Sequence, residues 1–244
     1  MMNLSEISSN LLFHFTKQLD TVLSILENGF YPRTSKENMS VVLSAYNEVK
    51  IGVPMVCFTD IPLNLSSEHR AAYGCYGIGL SKEWAKRSKI SPVFYMIKGS
   101  GSWEIYNHMQ AVIKEMILHK SNHSPQEVKD KVVISLIELA GYIKPYSEDG
   151  REKPFYDERE WRYVPPLSDI PYHCNRLLPE MLDNNTEQEK LNRKMEEKYA
   201  LKFSEADVEK IIIPKCEGLG TVIKRLYTVK RLNPEALIRK IQQV

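Results

Sequence analysis

Nine consecutive residues, Asp157-Glu158-Arg159-Glu160-Trp161-Arg162-Tyr163-Val164-Pro165, hold three acids, two arginines and two aromatics ahead of a β-prone exit. A surface turn supplies such charges but has no use for the Trp and Tyr. A core strand uses the rings but not the charges. The mixture suits the edge of a cleft, where rings floor a pocket and a carboxylate projects into it. The plainer alternative is a helix-to-strand junction whose Glu and Arg pair on the surface, the usual fate of a charge cluster. Two further stretches carry polar groups at strand edges: His14-Phe15-Thr16 and Cys57-Phe58-Thr59-Asp60. An acid, a hydroxyl and an imidazole at strand edges could all face a ligand in one cleft. Equally, His14 could be a hydrogen-bonded core residue, and Thr59 and Asp60 a local turn.

The elements that must position these residues read as follows. Leu11–Phe15 is a short apolar run, a buried strand. Thr16 is placed to cap a helix whose apolar positions Leu19, Val22, Leu23 and Leu26 recur at helical spacing until Gly29. Residues 31–52 lack periodicity and read as a loop or short helix over a cleft. Val53–Thr59 is a second buried strand, ended by Asp60-Ile61-Pro62. A short helix from Ser66 to Ala72 carries His69. In Tyr73–Leu80 three glycines sit among aromatic and aliphatic residues. This is no phosphate loop, because Gly-x-Gly-x-x-Gly is not met and no Lys-Ser/Thr follows. It reads as a strand over which something lies close.

Ser81 caps a helix over 82–87, and 91–98 is another strand. Trp103–Lys120 and Ser124–Ile143 are two amphipathic helices with no strand between them, so 102–145 reads as a helical insertion in a single α+β domain spanning 1–244. The charged run 187–198 is a solvated helix. Val208–Pro214 is a late strand, Leu219–Val229 a helix, and Asn233-Pro234-Glu235 opens a last one.

Totals exclude several classes. Of 244 residues 43% are hydrophobic and 26% charged, with a net charge of +2, which gives no reason for sequence-independent nucleic-acid binding. A local basic patch remains open. Four scattered cysteines and six histidines show no zinc spacing, so no metal site is expected and the thiols are expected to be reduced. No apolar run approaches the ~20 residues of a membrane span. The polar start, Met1–Asn10, carries no Lys or Arg and so lacks the charged head of a signal peptide. A cytoplasmic protein is expected.

Taken together, Leu-Phe-His-Phe-Thr at 12–16 with its preceding Leu, Pro-Met-Val-Cys-Phe-Thr-Asp-Ile-Pro-Leu at 54–63, His69, the glycine strand and Glu-Arg-Glu-Trp-Arg-Tyr at 158–163 resemble the abortive-infection AbiGi family of phage-defence proteins. The resemblance runs from about Leu11 to Val164, and faintly to Pro214. That family is in turn similar to ADP-ribosyltransferase-like domains, which implies a split mixed or antiparallel sheet with flanking helices. It further implies NAD⁺ as substrate, with His14 on a ribose hydroxyl and its neighbours Phe15 and Thr16 beside it. Thr59 would support the nicotinamide side, with Tyr31, Phe58 or Tyr73 stacked on the ring. Glu160 would bond the nicotinamide ribose, with Glu158 competing for the catalytic role, and Arg162 would take pyrophosphate or pair with Glu160.

Two functions stay open on this resemblance. One is an ADP-ribosyltransferase with a protein or nucleic-acid acceptor. The other is an inert antitoxin or interaction protein that binds a cognate toxin.

Overall fold

Alternation along one strand puts Leu12 and His14 on one side and Phe13 and Phe15 on the other, and the sheet is built around it. The structure is a computed structural model and describes residues 8–42, 50–118, 126–148, 150, 152–166 and 185–244. The first strand, β1 (Leu11–Thr16), is followed by α1 (Leu19–Asn28), whose Leu19, Val22, Leu23, Ile25 and Leu26 are buried. The N-cap of α1 is Gln18, with no side-chain cap bond, so Thr16 does not cap it and instead ends β1.

The described part of 31–52 (31–42 and 50–52) does not form the expected loop or short helix, and 43–49 lie outside the described residues. That part supplies β2 (Arg33–Asn38) and the start of β3 (Lys50–Thr59), paired antiparallel from Arg33 opposite Met55 to Asn38 opposite Lys50. The helix α2 (Ser67–Tyr73) leads into the glycine strand β4 (Tyr76–Ser81). Ser81 then caps α3 (Lys82–Arg87), its Oγ accepting from the Trp84 amide. The expected strand over 91–98 is two short ones, β5 (Ser91–Pro92) and β6 (Phe94–Met96). A helix pair, α4 (Gly101–Leu118) and α5 (Gln126–Ala140), separates β6 from β7 (Ile143–Pro145), and β6 and β7 pair parallel as a small second sheet.

A 3₁₀ turn over Phe155–Glu158 precedes β8 (Glu160–Tyr163). The last elements are α6 (Asn185–Tyr199), β9 (Val208–Ile213), α7 (Leu219–Leu226), α8 (Pro234–Ile238) and β10 (Ile241–Gln243). The charged run 187–198 is helical as expected, within α6, and His119, His123 and Cys174 lie outside the described residues.

The main sheet runs β10-β9-β4-β1-β3-β8-β5, with β2 on the outer length of β3. Its ladders are antiparallel except β10 on β9, which makes a mixed α+β fold with a mostly antiparallel open sheet. One face carries the larger core. There Leu12, Val56, Phe58, Ile78 and Ile211 pack under α1, α3, α7 and α8, with Phe30, Phe58, Trp84 and Phe203 in ring contact. A second core joins Ile51, Val53 and Met55 of β3 to Met96, Tyr106, Ala140 and Ile143 of the helix pair and small sheet.

The rings lying over the glycine strand are Phe13 and Phe15, stacked at 5.7 Å. A Cβ on Gly79 would stand 2.7 Å from Phe13 Cε1, and one on Gly77 2.8 Å from Phe15 Cδ1. Glycine there lets the rings lie flat on the sheet.

Candidate functional site

Where β1 and β3 meet they register a single pair, Phe13 opposite Thr59. Beyond that point they separate, and His14 spans the gap: its Nδ1–H donates to the Cys57 carbonyl at 2.8 Å. That bond fixes the tautomer, leaving Nε2 as an acceptor. Burial lowers the His14 pKa, outweighing the opposite effect of the Cys57 carbonyl, so the ring is neutral. A cleft of about 400 Å³ opens at this split, with the three strands' polar residues His14, Thr59 and Glu160 on its wall.

Register explains the convergence. Thr59 faces Glu160 and Cys57 faces Arg162 across the β3–β8 ladder, so these side chains share one face. Trp161 and Tyr163, one residue out of phase, pack on the larger core instead. Glu158 comes to the same place by a different device. Arg159 adopts a left-handed conformation (φ 45°, ψ 50°) that turns the chain between the two glutamates. Thr59 Oγ1 pins the turn by donating to the Glu158 carbonyl at 2.6 Å.

Glu160 is 7% exposed and Arg162 1%. Arg162 Nε donates to Glu160 Oε1 at 2.6 Å and its fork reaches Glu37 Oε2 at 2.7 Å and the Gly141 carbonyl at 2.9 Å. Lys144 Nζ donates to Glu160 Oε2 at 2.6 Å and Glu158 Oε2 at 2.7 Å, with the Phe155 ring 4.6 Å away. Tyr73 donates to Glu158 Oε1 at 3.2 Å, and the Tyr95 hydroxyl accepts the Glu160 amide at 2.9 Å. Burial opposes charge on Glu160, yet Arg162 and Lys144 outweigh it and hold the carboxyl at about 2. Burial likewise opposes charge on Lys144, and the two glutamates raise its pKa regardless. The Tyr73 and Tyr95 hydroxyls are pushed up to about 12, first by burial and then by the glutamate charges. The Cys57 thiol is raised by burial and by Glu160.

The cleft therefore presents Glu160 ionised and held by Arg162 and Lys144, with Glu158 on the same ammonium and the Tyr73 and Tyr95 hydroxyls beside them. It includes Phe15, Phe58, Thr59, Tyr73 and both glutamates among the residues singled out from sequence. It does not include Thr16, which pairs with Tyr76, or Tyr31, whose ring lies under Arg33. Arg162 does not line it either. Its guanidinium is committed to Glu160, Glu37 and Gly141 rather than held ready for pyrophosphate. Thr59 is 2% exposed, and its hydroxyl is engaged by Glu158.

Sequence reasoning missed Glu37, Lys144 and Tyr95. The one local signal was Lys144 itself, a lysine set between Ile143 and Pro145 in a β-prone run. Among the described residues no three His, Cys, Asp or Glu side chains are grouped as a metal-ligand set. No described helix is long and apolar enough to cross a membrane.

Fold and site together define a mixed α+β protein with an open, mostly antiparallel sheet and a charged cleft where two central strands part. Residues 28–214 match the family described as "Putative abortive phage resistance protein AbiGi, antitoxin", and the chain belongs to that family. It is 26% identical over 243 residues to "Abortive phage resistance protein AbiGi" from Lactococcus lactis subsp. cremoris, across 87% of this chain and 96% of that protein. No solved structure matches the chain. The matched span holds Glu37, Thr59, Lys144, Glu158, Glu160 and Arg162, while His14 precedes it.

Proposed function

We propose that this phage-defence protein uses the cleft as an ADP-ribosyltransferase-like site, taking NAD⁺ and transferring ADP-ribose to a protein or nucleic-acid acceptor. The observation that carries the reading is the pair of carboxylates beside one another in the cleft, Glu160 ionised far below neutrality and Glu158 sharing its ammonium. A glycosidase keeps one of its two carboxyls protonated to assist the leaving group. Here the two glutamates answer to the same Lys144, an arrangement that favours charge on both and leaves no acid between them.

Such a site suits a leaving group that departs without a proton. In a nicotinamide riboside the C1′–N bond breaks with its electron pair going to the ring nitrogen, and the pyridinium leaves neutral. The ionised carboxylates stabilise the positive charge left on the sugar. The acceptor's nucleophile then bonds C1′ and gives up its proton, which Glu158, the acceptor of the Tyr73 hydroxyl, would take as base. His14 Nε2 would accept from a ribose hydroxyl. The cleft volume lies within the range of small-molecule sites, and Phe15, His69 and Tyr73 give it an aromatic wall.

The second reading, a catalytically silent antitoxin that binds a cognate toxin, is favoured by one observation. Both Glu160 oxygens are bonded to cations, Arg162 on one and Lys144 on the other. NAD⁺ binding and nicotinamide release, measured for the wild type beside Glu160→Gln with cell lysate as acceptor source, separate the two. Binding with Glu160-dependent release is expected. Absence of binding at millimolar NAD⁺ would leave the interaction protein.

A further inference from the structure

We propose that Lys144 is the positioning residue of this site: its single ammonium, held between Glu158 and Glu160, keeps the two carboxylates side by side and charged. What that means for ADP-ribose transfer rests on the reading above; the ionisation itself does not.

Lys144 arrives from the small sheet rather than from the strands that carry the glutamates. Its β7 follows α5 directly and pairs parallel with β6. The side chain is 13% exposed, bonded to Glu158 Oε2 at 2.7 Å and Glu160 Oε2 at 2.6 Å, so two carboxylate oxygens sit around one nitrogen. Carboxylates held this close without a cation between them take up a shared proton and titrate as a pair.

The other groups around them cannot supply that cation equally. Arg162 on β8 bonds Glu160 but is also engaged by Glu37 of β2 and by Gly141. From α2 come Tyr73, which donates to Glu158, and His69, whose pKa burial lowers. From β1 comes His14, neutral for the same reason, and from β3 comes the unionised thiol of Cys57. Tyr95 of β6 is an uncharged partner of the Glu160 amide. Lys36, Lys50 and Glu148 line the outer cleft. Among the contacts of the described residues, Lys144 is the cation shown bonded to both glutamates.

The test is a carbon-13 NMR titration of the Glu side-chain carboxyls in the full chain. In the wild type Glu158 and Glu160 should show no ionisation between about pH 5.5 and 8. In Lys144→Met one new step, common to both residues, should enter that window. Lys144→Arg should remove the step, and so should Lys144→Met combined with Glu158→Gln, which takes away one of the two like charges.

A folded Lys144→Met protein with no new step overturns the assignment, whatever its behaviour toward NAD⁺. If Lys144→Met does not fold at pH 7.5, recovery at pH 5.5 or in the Glu158→Gln double variant supports the assignment. Failure of both to fold overturns it, because the lysine would then be a packing element. A new step together with no NAD⁺ binding by the wild type would retain Lys144 in this role and remove the transferase.

Discussion

At the scale of single residues, Glu160 is best understood as a charge that the protein manufactures and keeps. Replacing it by Gln removes the counter-charge of Arg162 and Lys144 together, so the variant should be less stable by about 3 kcal/mol. Urea unfolding at pH 7 checks this, and adding Lys144→Met should recover part of the loss. The pH dependence has a definite sign. Because the folded carboxyl is held at about 2 against an ordinary 4.5, its stabilising contribution is complete above about 4.5 and is lost as pH falls toward 2. The stability gap between wild type and Glu160→Gln should therefore narrow across that interval. The local stretch 157–165 announced Glu158, Glu160 and Arg162 because their clustering is visible within nine residues. Their partners were not legible: Glu37 meets Arg162 across 125 positions and Lys144 meets Glu160 across 16. No local pattern encodes such a meeting.

Elements were legible to the extent that they carry their own apolar period. The amphipathic α1, the apolar runs of β1 and β3 and the glycine pattern of β4 declared themselves. By contrast β2, Arg-Thr-Ser-Lys-Glu-Asn, has no apolar alternation; it is a strand because β3 pairs with it and because Asn192 of α6 accepts from the Thr34 amide at 3.1 Å. The glycine strand makes a prediction of its own. Gly79→Ala should cost about 1–3 kcal/mol, since the methyl meets the Phe13 ring and Lys210 Cβ at 3.1 Å, and denaturant midpoints measure it. The turn between the glutamates makes another. Arg159→Gly should be tolerated, whereas Arg159→Val should destabilise by about 1–2 kcal/mol, because a branched residue resists the left-handed backbone. If both variants behave like wild type in thermal melts, the turn does not depend on that conformation.

At the scale of the whole molecule, the sheet is two part-sheets, β10-β9-β4-β1 and β3-β8-β5 with β2, that share one registered pair, the His14 bond to Cys57, the bonds of Asp60 to Ser8, Ser9 and Lys82, and the larger core beneath them. The His14 pKa lies below 6.5, so the unfolded chain binds the proton first; this residue's contribution is complete above about 6.5 and declines as pH falls below it. His14→Gln should flatten the melting temperature against pH between 7 and 5. A seam this sparse also behaves as a soft joint. Parting two strands of a full ladder means breaking every rung, whereas widening the cleft mouth releases the His14 bond while Asp60 holds the far end of the seam through Ser9 and Lys82. Breathing there is a low-energy excursion separate from unfolding, so amide exchange along the joint should run far ahead of exchange in the interior of either half. A molecule lodged in the cleft would work as a clasp, and its arrival would be felt first as a stiffening of that joint.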